Sequence, residues 1–185
     1  MDWIDILQKK KQTFLWSDKV PEREIIDTIL DEVHTHCPSK QNNVPYNIEV
    51  LDWADKERRH KIFEDTWCDV DDITDRRNPQ VLAPYLFVFT ARGINLSPDE
   101  NSYAQLEIGL VAMFIALSAT NHGLNYGFCA CNNNEIVLTL GVGYPNPDYV
   151  SPAKGHFFNP LLQKRVWLTS SDEPKPDKSQ YIQFD

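Results

Sequence analysis

The sequence has no long apolar run, no paired-cysteine metal motif, no glycine-rich dinucleotide loop and no sizeable basic patch. Each absence excludes a class of protein. The most apolar stretch, residues 108–119, is 12 residues long, whereas a membrane-spanning helix needs roughly 20. A buried helix is expected there, and no membrane partner. Residues 1–11 carry Asp2 and Asp5 without an apolar run, so they do not read as a signal peptide. The cysteines are Cys37, Cys68, Cys129 and Cys131, with no C-x-x-C pair. They read as small apolar thiols kept reduced in the cytoplasm, in preference to a zinc site with His34 and His36. Gly141-Val142-Gly143 runs into Tyr144-Pro145, not a helix, and so opens no dinucleotide-binding unit. With 27 acids against 18 bases the net charge is −9, which repels nucleic acid unless the bases cluster. The only basic run, Lys9 to Lys11, is too short to hold a duplex but long enough for one phosphate. No Ser-His-Asp set and no catalytic carboxylate pair stands out.

What is present is a globular chain of 185 residues, 42% hydrophobic and 11% aromatic, read as one domain over 1–185. Pro21 opens a helix with Glu22 and Glu24 in its first turn, and Ile25, Ile29 and Val33 give it an apolar face as far as His36. Pro38 ends it. Residues 38–45 form a polar loop, and residues 46–53 alternate as a strand. Residues 55–67 read as a charged helix with Ile62 and Phe63 inward. Residues 69–80, with Asp69, Asp71, Asp72 and Asp75, read as an exposed connection. The aromatic run 84–90 is expected to be a central strand buried on both faces. Residues 103–121 are apolar nearly all round, as a helix in the middle of the fold or at a subunit interface, and Gly123 caps it. Residues 125–131 and 135–143 are strand-like, joined by an asparagine turn. Pro145, Pro147, Pro152 and Pro160 mark an irregular region, followed by a short strand over 163–169. Mixed elements without strict alternation indicate the α+β class.

Three segments, in this order, resemble the nitroreductase family. In residues 10–18, Lys10 and Lys11 match a basic pair and Trp16 a phenylalanine, while Gln12 replaces a serine and Phe14 an arginine. Residues 37–46 are similar to the family's Pro-Ser-x-x-Asn-x-Gln-Pro-Trp loop: Pro38, Ser39, Asn42 and Pro45 match, with Val44 and Tyr46 replacing Gln and Trp. The third segment joins Gly123-Leu124, at the end of the central helix, to Gly143-Tyr144-Pro145, at the end of a later strand. The short helix usual between them is absent. The resemblance covers about residues 4–145.

It implies a three-layer fold, a mostly antiparallel sheet flanked by helices in an intertwined homodimer, with FMN as cofactor. Lys10 and Lys11 would supply charge to the phosphate and Gln12 a neutral hydrogen bond. The family's second basic pair falls on Lys175 and Lys178, or alternatively on Lys164 and Arg165. Pro38, Ser39 and Asn42 would reach the flavin held mainly by the other subunit. A main-chain N–H among Phe128, Cys129 and Ala130 would face flavin N5. The implied reaction passes hydride from NAD(P)H through N5 to a nitroaromatic, quinone or similar acceptor, the cofactor carrying the chemistry. The replacements at Gln12, Phe14 and Val44 open a second reading: a protein on the same scaffold that binds flavin weakly or not at all and serves as an interaction protein. A third keeps the flavin and changes the reaction, to dehalogenation or flavin fragmentation.

Overall fold

Period-two alternation and helical periodicity become the expected elements, with shifted ends. A computed structural model describes residues 2–9, 12–13, 15–66, 78–92, 98–132, 135–146, 155–159 and 164–168, with backbone only for Pro79, 98–101, 155–159 and 164–168. It divides into two compact units, Met1–Tyr149 and Val150–Asp185. In chain order the first unit contains α1 (Trp3–Lys9), α2 (Arg23–His36), β1 (Tyr46–Leu51), α3 (Lys56–Asp65), β2 (Tyr85–Ala91), α4 (Pro98–Asn121), β3 (Asn125–Cys129) and β4 (Ile136–Gly143). In the second unit, β5 (Gly155–Asn159) and β6 (Lys164–Leu168) form an antiparallel hairpin. β5 falls inside the stretch read as irregular from its prolines. Likewise, the connection expected to be exposed ends in a 3-10 turn, Pro79–Leu82, with Gln80 and Val81 buried.

The four strands of the first unit run in the order β1-β2-β4-β3, all neighbours antiparallel. Leu86, Phe87, Val88 and Phe89 of β2 are fully buried, as a central strand covered on both faces must be. The two faces are covered differently. One presents Tyr85, Phe87, Phe89, Tyr126, Leu140 and Val142 to Ile26, Ile29 and Val33 of α2 and to Ile108, Val111, Ile115 and Ala119 of α4. Glu32 ties these helices together: Ser118 Oγ donates to Oε2 at 2.5 Å, and His122 Nε2 lies 3.0 Å from Oε1. α4 ends at Gly123, whose φ of 77° is the left-handed cap that glycine adopts without steric cost.

The opposite face is stripped to glycine where β3 and β4 pair, Gly127 against Gly141. Backbone fills the space. A Cβ on Gly127 would lie 2.4 Å from the Thr13 carbonyl oxygen, and one on Gly141 2.2 Å from that of Gln80. Beside this patch the Arg59 guanidinium of α3 is buried, donating to the carbonyls of Leu51, Val81, Ala83 and Pro84. Burial lowers its pKa to about 10, against the pull of Asp55 and Asp52.

Among the described residues one helical stretch, Ser102–Asn121, is long and apolar enough to cross a bilayer. This is longer than the 12-residue run read from the sequence, and half of its most apolar window is buried. No group of three or more potential metal ligands occurs among the described residues.

Candidate functional site

The expected site residues that are described fall into two groups at one end of the sheet. Tyr46 begins β1 opposite Ala91, the end of β2; β4 enters at this end, and β3 finishes there at Cys129. The groups therefore share an end but sit at opposite edges, three strand spacings or roughly 14 Å apart.

The first group is the outer edge of β3. Of the amino-terminal arm, Gln12 and Thr13 lie along it, and Trp16 and Ser17 pair with the chain just past the end of β4. Gln12 bridges Tyr126 in parallel, Thr13 N donates to the Tyr126 carbonyl at 2.7 Å, and Ser17 N to that of Tyr144 at 2.9 Å. This places the Gln12 amide beside Phe128. Its Nε2 donates to the Phe128 carbonyl at 3.1 Å, and Phe128 N donates to its Oε1 at 3.2 Å. The side chain thus acts as one residue of an additional strand. Gln12 was expected at a phosphate; its amide is spent on the main chain, and the Phe128 N–H is taken. Strand alternation turns the Cys129 main chain towards β4; β3 ends there, and Ala130 beyond it is exposed. Cys129 is a packed thiol, buried as expected. Its carbonyl accepts from Asn132 Nδ2 at 2.9 Å and from Thr139 Oγ1 at 3.2 Å. The other end of the Asn132 amide, Oδ1, is buried without a hydrogen-bond partner.

The second group is the turn from Ser39 to Val44. It is tight: Asn42 N donates to the Ser39 carbonyl and Asn43 N to that of Lys40, each at 3.1 Å, with a non-helical kink at Gln41. Gln41, Asn42 and Val44 all have positive φ, at 55°, 55° and 46°, a conformation that is strained for a β-branched residue such as Val44. Ser39 Oγ donates to Glu107 Oε2 at 2.7 Å and accepts from Val44 N at 2.9 Å. Lys40 N donates to Glu107 Oε1 at 2.8 Å. Glu107 is 5% exposed. The Lys40 ammonium lies 3.9 Å from the Tyr103 ring centroid. A cleft of about 560 Å³ opens on one side of the turn, among Lys40, Pro45, Arg92, Tyr103 and Glu107. Another of about 480 Å³, more apolar, is lined by Val33, Cys37, Ser39, Val44, Tyr46 and Val111. Burial, reinforced by the Glu107 charge, raises the Cys37 pKa, so the thiol stays protonated. Burial, with the charges of Cys37 and Glu107, pushes Tyr46 up to about 12.

The structure thus brings Gln12 to Phe128, and Ser39 to a partner that sequence reasoning missed. Glu107 had a signal: it is the one carboxylate in an otherwise apolar stretch between Leu106 and Ala119. Lys10, Lys11, Phe14, Lys175 and Lys178 lie outside the described residues, and Lys164 and Arg165 are described by backbone only.

No protein-family model matches the chain, and no curated protein matches it by sequence. Solved structures do match. A putative NAD(P)H:FMN oxidoreductase from Staphylococcus epidermidis superposes with a TM-score of 0.71 over 99% of this chain and 95% of its own, at 14% identity. A nitroreductase family protein from Clostridium novyi gives 0.64 over 80% and 87%, at 17% identity. Nitroreductase A from Vibrio parahaemolyticus gives 0.65 over 80% and 70%, at 15% identity. The chain has the nitroreductase fold. The α+β class and the antiparallel central sheet expected from the sequence are those of this nitroreductase-fold protein.

Proposed function

We propose that this nitroreductase-fold protein is a divergent member of the nitroreductase family that binds FMN between two copies of itself. In this reading it is an oxidoreductase that takes hydride from NADH or NADPH in the reducing cytoplasm. Both compact units belong to one functional domain, with Lys10, Lys11, Lys175 and Lys178 meeting the phosphate.

The observation that carries this reading is the open edge past β3. A flavin ring edge offers several acceptors and one N–H donor. Ala130, the first residue past β3, is exposed, and Asn132 Oδ1 is a buried acceptor without a donor. These complementary groups suit a ring that accepts at N5 and donates at N3. When bound, FMN supplies the hydride chemistry at N5. The protein's own groups bind, orient and keep water out; no side chain has to act as acid or base.

Two observations support a second copy. The Ser39–Val44 turn and the Ala130 edge face opposite edges of one sheet, so a ligand touching both is most simply held between two chains. In addition, α4 exposes Tyr103, Leu106, Leu110 and Met113 at 47%, 61%, 42% and 38%. Their three-four-three spacing is one continuous apolar row, the surface a partner helix covers.

Anaerobic addition of NADH or NADPH to flavin-loaded protein tests the reaction. The reading expects the flavin band to bleach, then to recover with a nitroaromatic or a quinone. A bound flavin that neither nucleotide reduces would exclude it.

A specific observation favours a second reading, an interaction protein without flavin turnover. The Gln12 amide and the Ser39 hydroxyl, both expected at the cofactor, are committed to the protein's own groups.

A further inference from the structure

We propose that Glu107 is a positioning residue, whose buried carboxylate fixes the shape in which the Ser39–Val44 turn meets the ligand of a neighbouring copy. The functional half of this inference rests on the flavin reading; the clamp itself does not.

The turn cannot hold its shape by local preference. Gln41, Asn42 and Val44 occupy the left-handed region at φ of 55°, 55° and 46°. None of them is glycine, so a turn left to itself would relax toward negative φ. What opposes relaxation is a hydrogen-bonded chain anchored on α4. Glu107 accepts from Lys40 N at 2.8 Å, at the entrance to the strained segment, and from Ser39 Oγ at 2.7 Å. The same Ser39 oxygen accepts from Val44 N at 2.9 Å, at the far end. Carboxylate, hydroxyl and amide thus pin both ends of the left-handed stretch. The residue type follows from the chemistry. A carboxylate only accepts, so the Ser39 hydroxyl must point its hydrogen at Glu107 and leave its lone pairs to Val44. One turn earlier on the same helix face, Tyr103 takes the Lys40 ammonium over its ring at 3.9 Å, a second tie between turn and helix.

Strained non-glycine backbone held by a buried charged anchor persists where surrounding structure over-determines it, typically at ligand clamps. Here it is the turn that would touch a neighbouring copy's ligand. Glu107 touches no ligand in this account; it acts through Ser39 and Lys40.

The test combines two readouts. The first is amide hydrogen exchange at Lys40 and Val44 in flavin-free protein. The expected result is at least tenfold faster exchange at both amides in Glu107→Leu, a smaller acceleration in Glu107→Gln, whose amide keeps only one of the two acceptors, and acceleration at Val44 alone in Ser39→Ala. The last variant keeps the Lys40–Glu107 bond and serves if Glu107→Leu does not fold. The second readout is an FMN titration, expected to weaken at least tenfold in Glu107→Leu and Ser39→Ala and by less in Glu107→Gln. Ser118→Ala, which loosens the α2–α4 tie away from the turn, should leave the titration unchanged. Unchanged exchange at Lys40 and Val44 overturns the clamp. Faster exchange with unaltered FMN affinity overturns the positioning role. A wild type that takes up no FMN overturns the flavin reading and that role with it, while exchange still decides the clamp.

Discussion

The end of β3 and the Ser39–Val44 turn lie at the same end of one sheet, yet different physics holds their backbones. At β3 the main chain is relaxed. It is a regular ladder on one side, closed on the other by the arm and by Gln12, which supplies a donor and an acceptor where another strand would. Close approach is made possible by deleting side chains, Gly127 beneath the Thr13 carbonyl. At the turn nothing is deleted. Three side-chain-bearing residues are forced to positive φ, and a buried carboxylate holds them. A strand edge presents main-chain groups at little cost; a turn that must project a particular shape needs an anchor and stores strain.

The largest effect that breaks this comparison is expected at β3. Gly127→Ala sets a methyl against Thr13 O, which is backbone and cannot swing away, so about 3 kcal/mol of stability should be lost, measured by urea unfolding. Loss within a few tenths would mean that the arm is not packed there. Next, Gln12→Ala strips two hydrogen bonds from Phe128 and should cost about 2 kcal/mol, with faster exchange at the Phe128 amide. An unchanged amide would mean that the Gln12 cap does not form.

The turn should respond in the opposite direction. Val44→Gly removes the steric cost of positive φ and should raise stability by about 0.5–1 kcal/mol, after the extra chain entropy of glycine. A drop would show that Val44 packing outweighs strain. The smallest effect concerns two tyrosines. Burial raises Tyr126 in β3, whereas Tyr46 beside the turn has the charges of Cys37 and Glu107 in addition to burial, reaching about 12. Because its folded pKa is raised, the stability from the neutral Tyr46 phenol is complete below about 10, its unfolded value. It is lost as pH climbs through 12. Ultraviolet titration of Glu107→Gln should lower the Tyr46 pKa and leave that of Tyr126 in place; equal shifts would disconnect Glu107 from the turn.

The two halves also differ in how far the sequence reveals them. α2, β1, β2 and α4 follow from periodicity because each buries a face defined by its own residues, such as Ile25, Ile29 and Val33. Strand β5 hides behind prolines because its only described partner is β6, a pairing no local pattern reports. The burial of Arg59 follows from carbonyls between Leu51 and Pro84, groups that any sequence offers equally. At the site, Pro38, Ser39 and Asn42 are legible as a loop motif. The job of Ser39 is not, because its partner Glu107 stands 68 residues away. Gln12 is legible as a departure from the family pattern, but its partner is the Phe128 main chain, which carries no sequence signal.

The central claim is that this nitroreductase-fold protein holds FMN at a site shared by two chains. The most direct measurement is a flavin absorbance spectrum recorded across the boundary of the native protein in sedimentation velocity, with FMN added if the preparation is colourless. The account predicts one FMN per chain moving with a dimer. A colourless species to which added FMN does not bind, or flavin moving with a monomer, would contradict it.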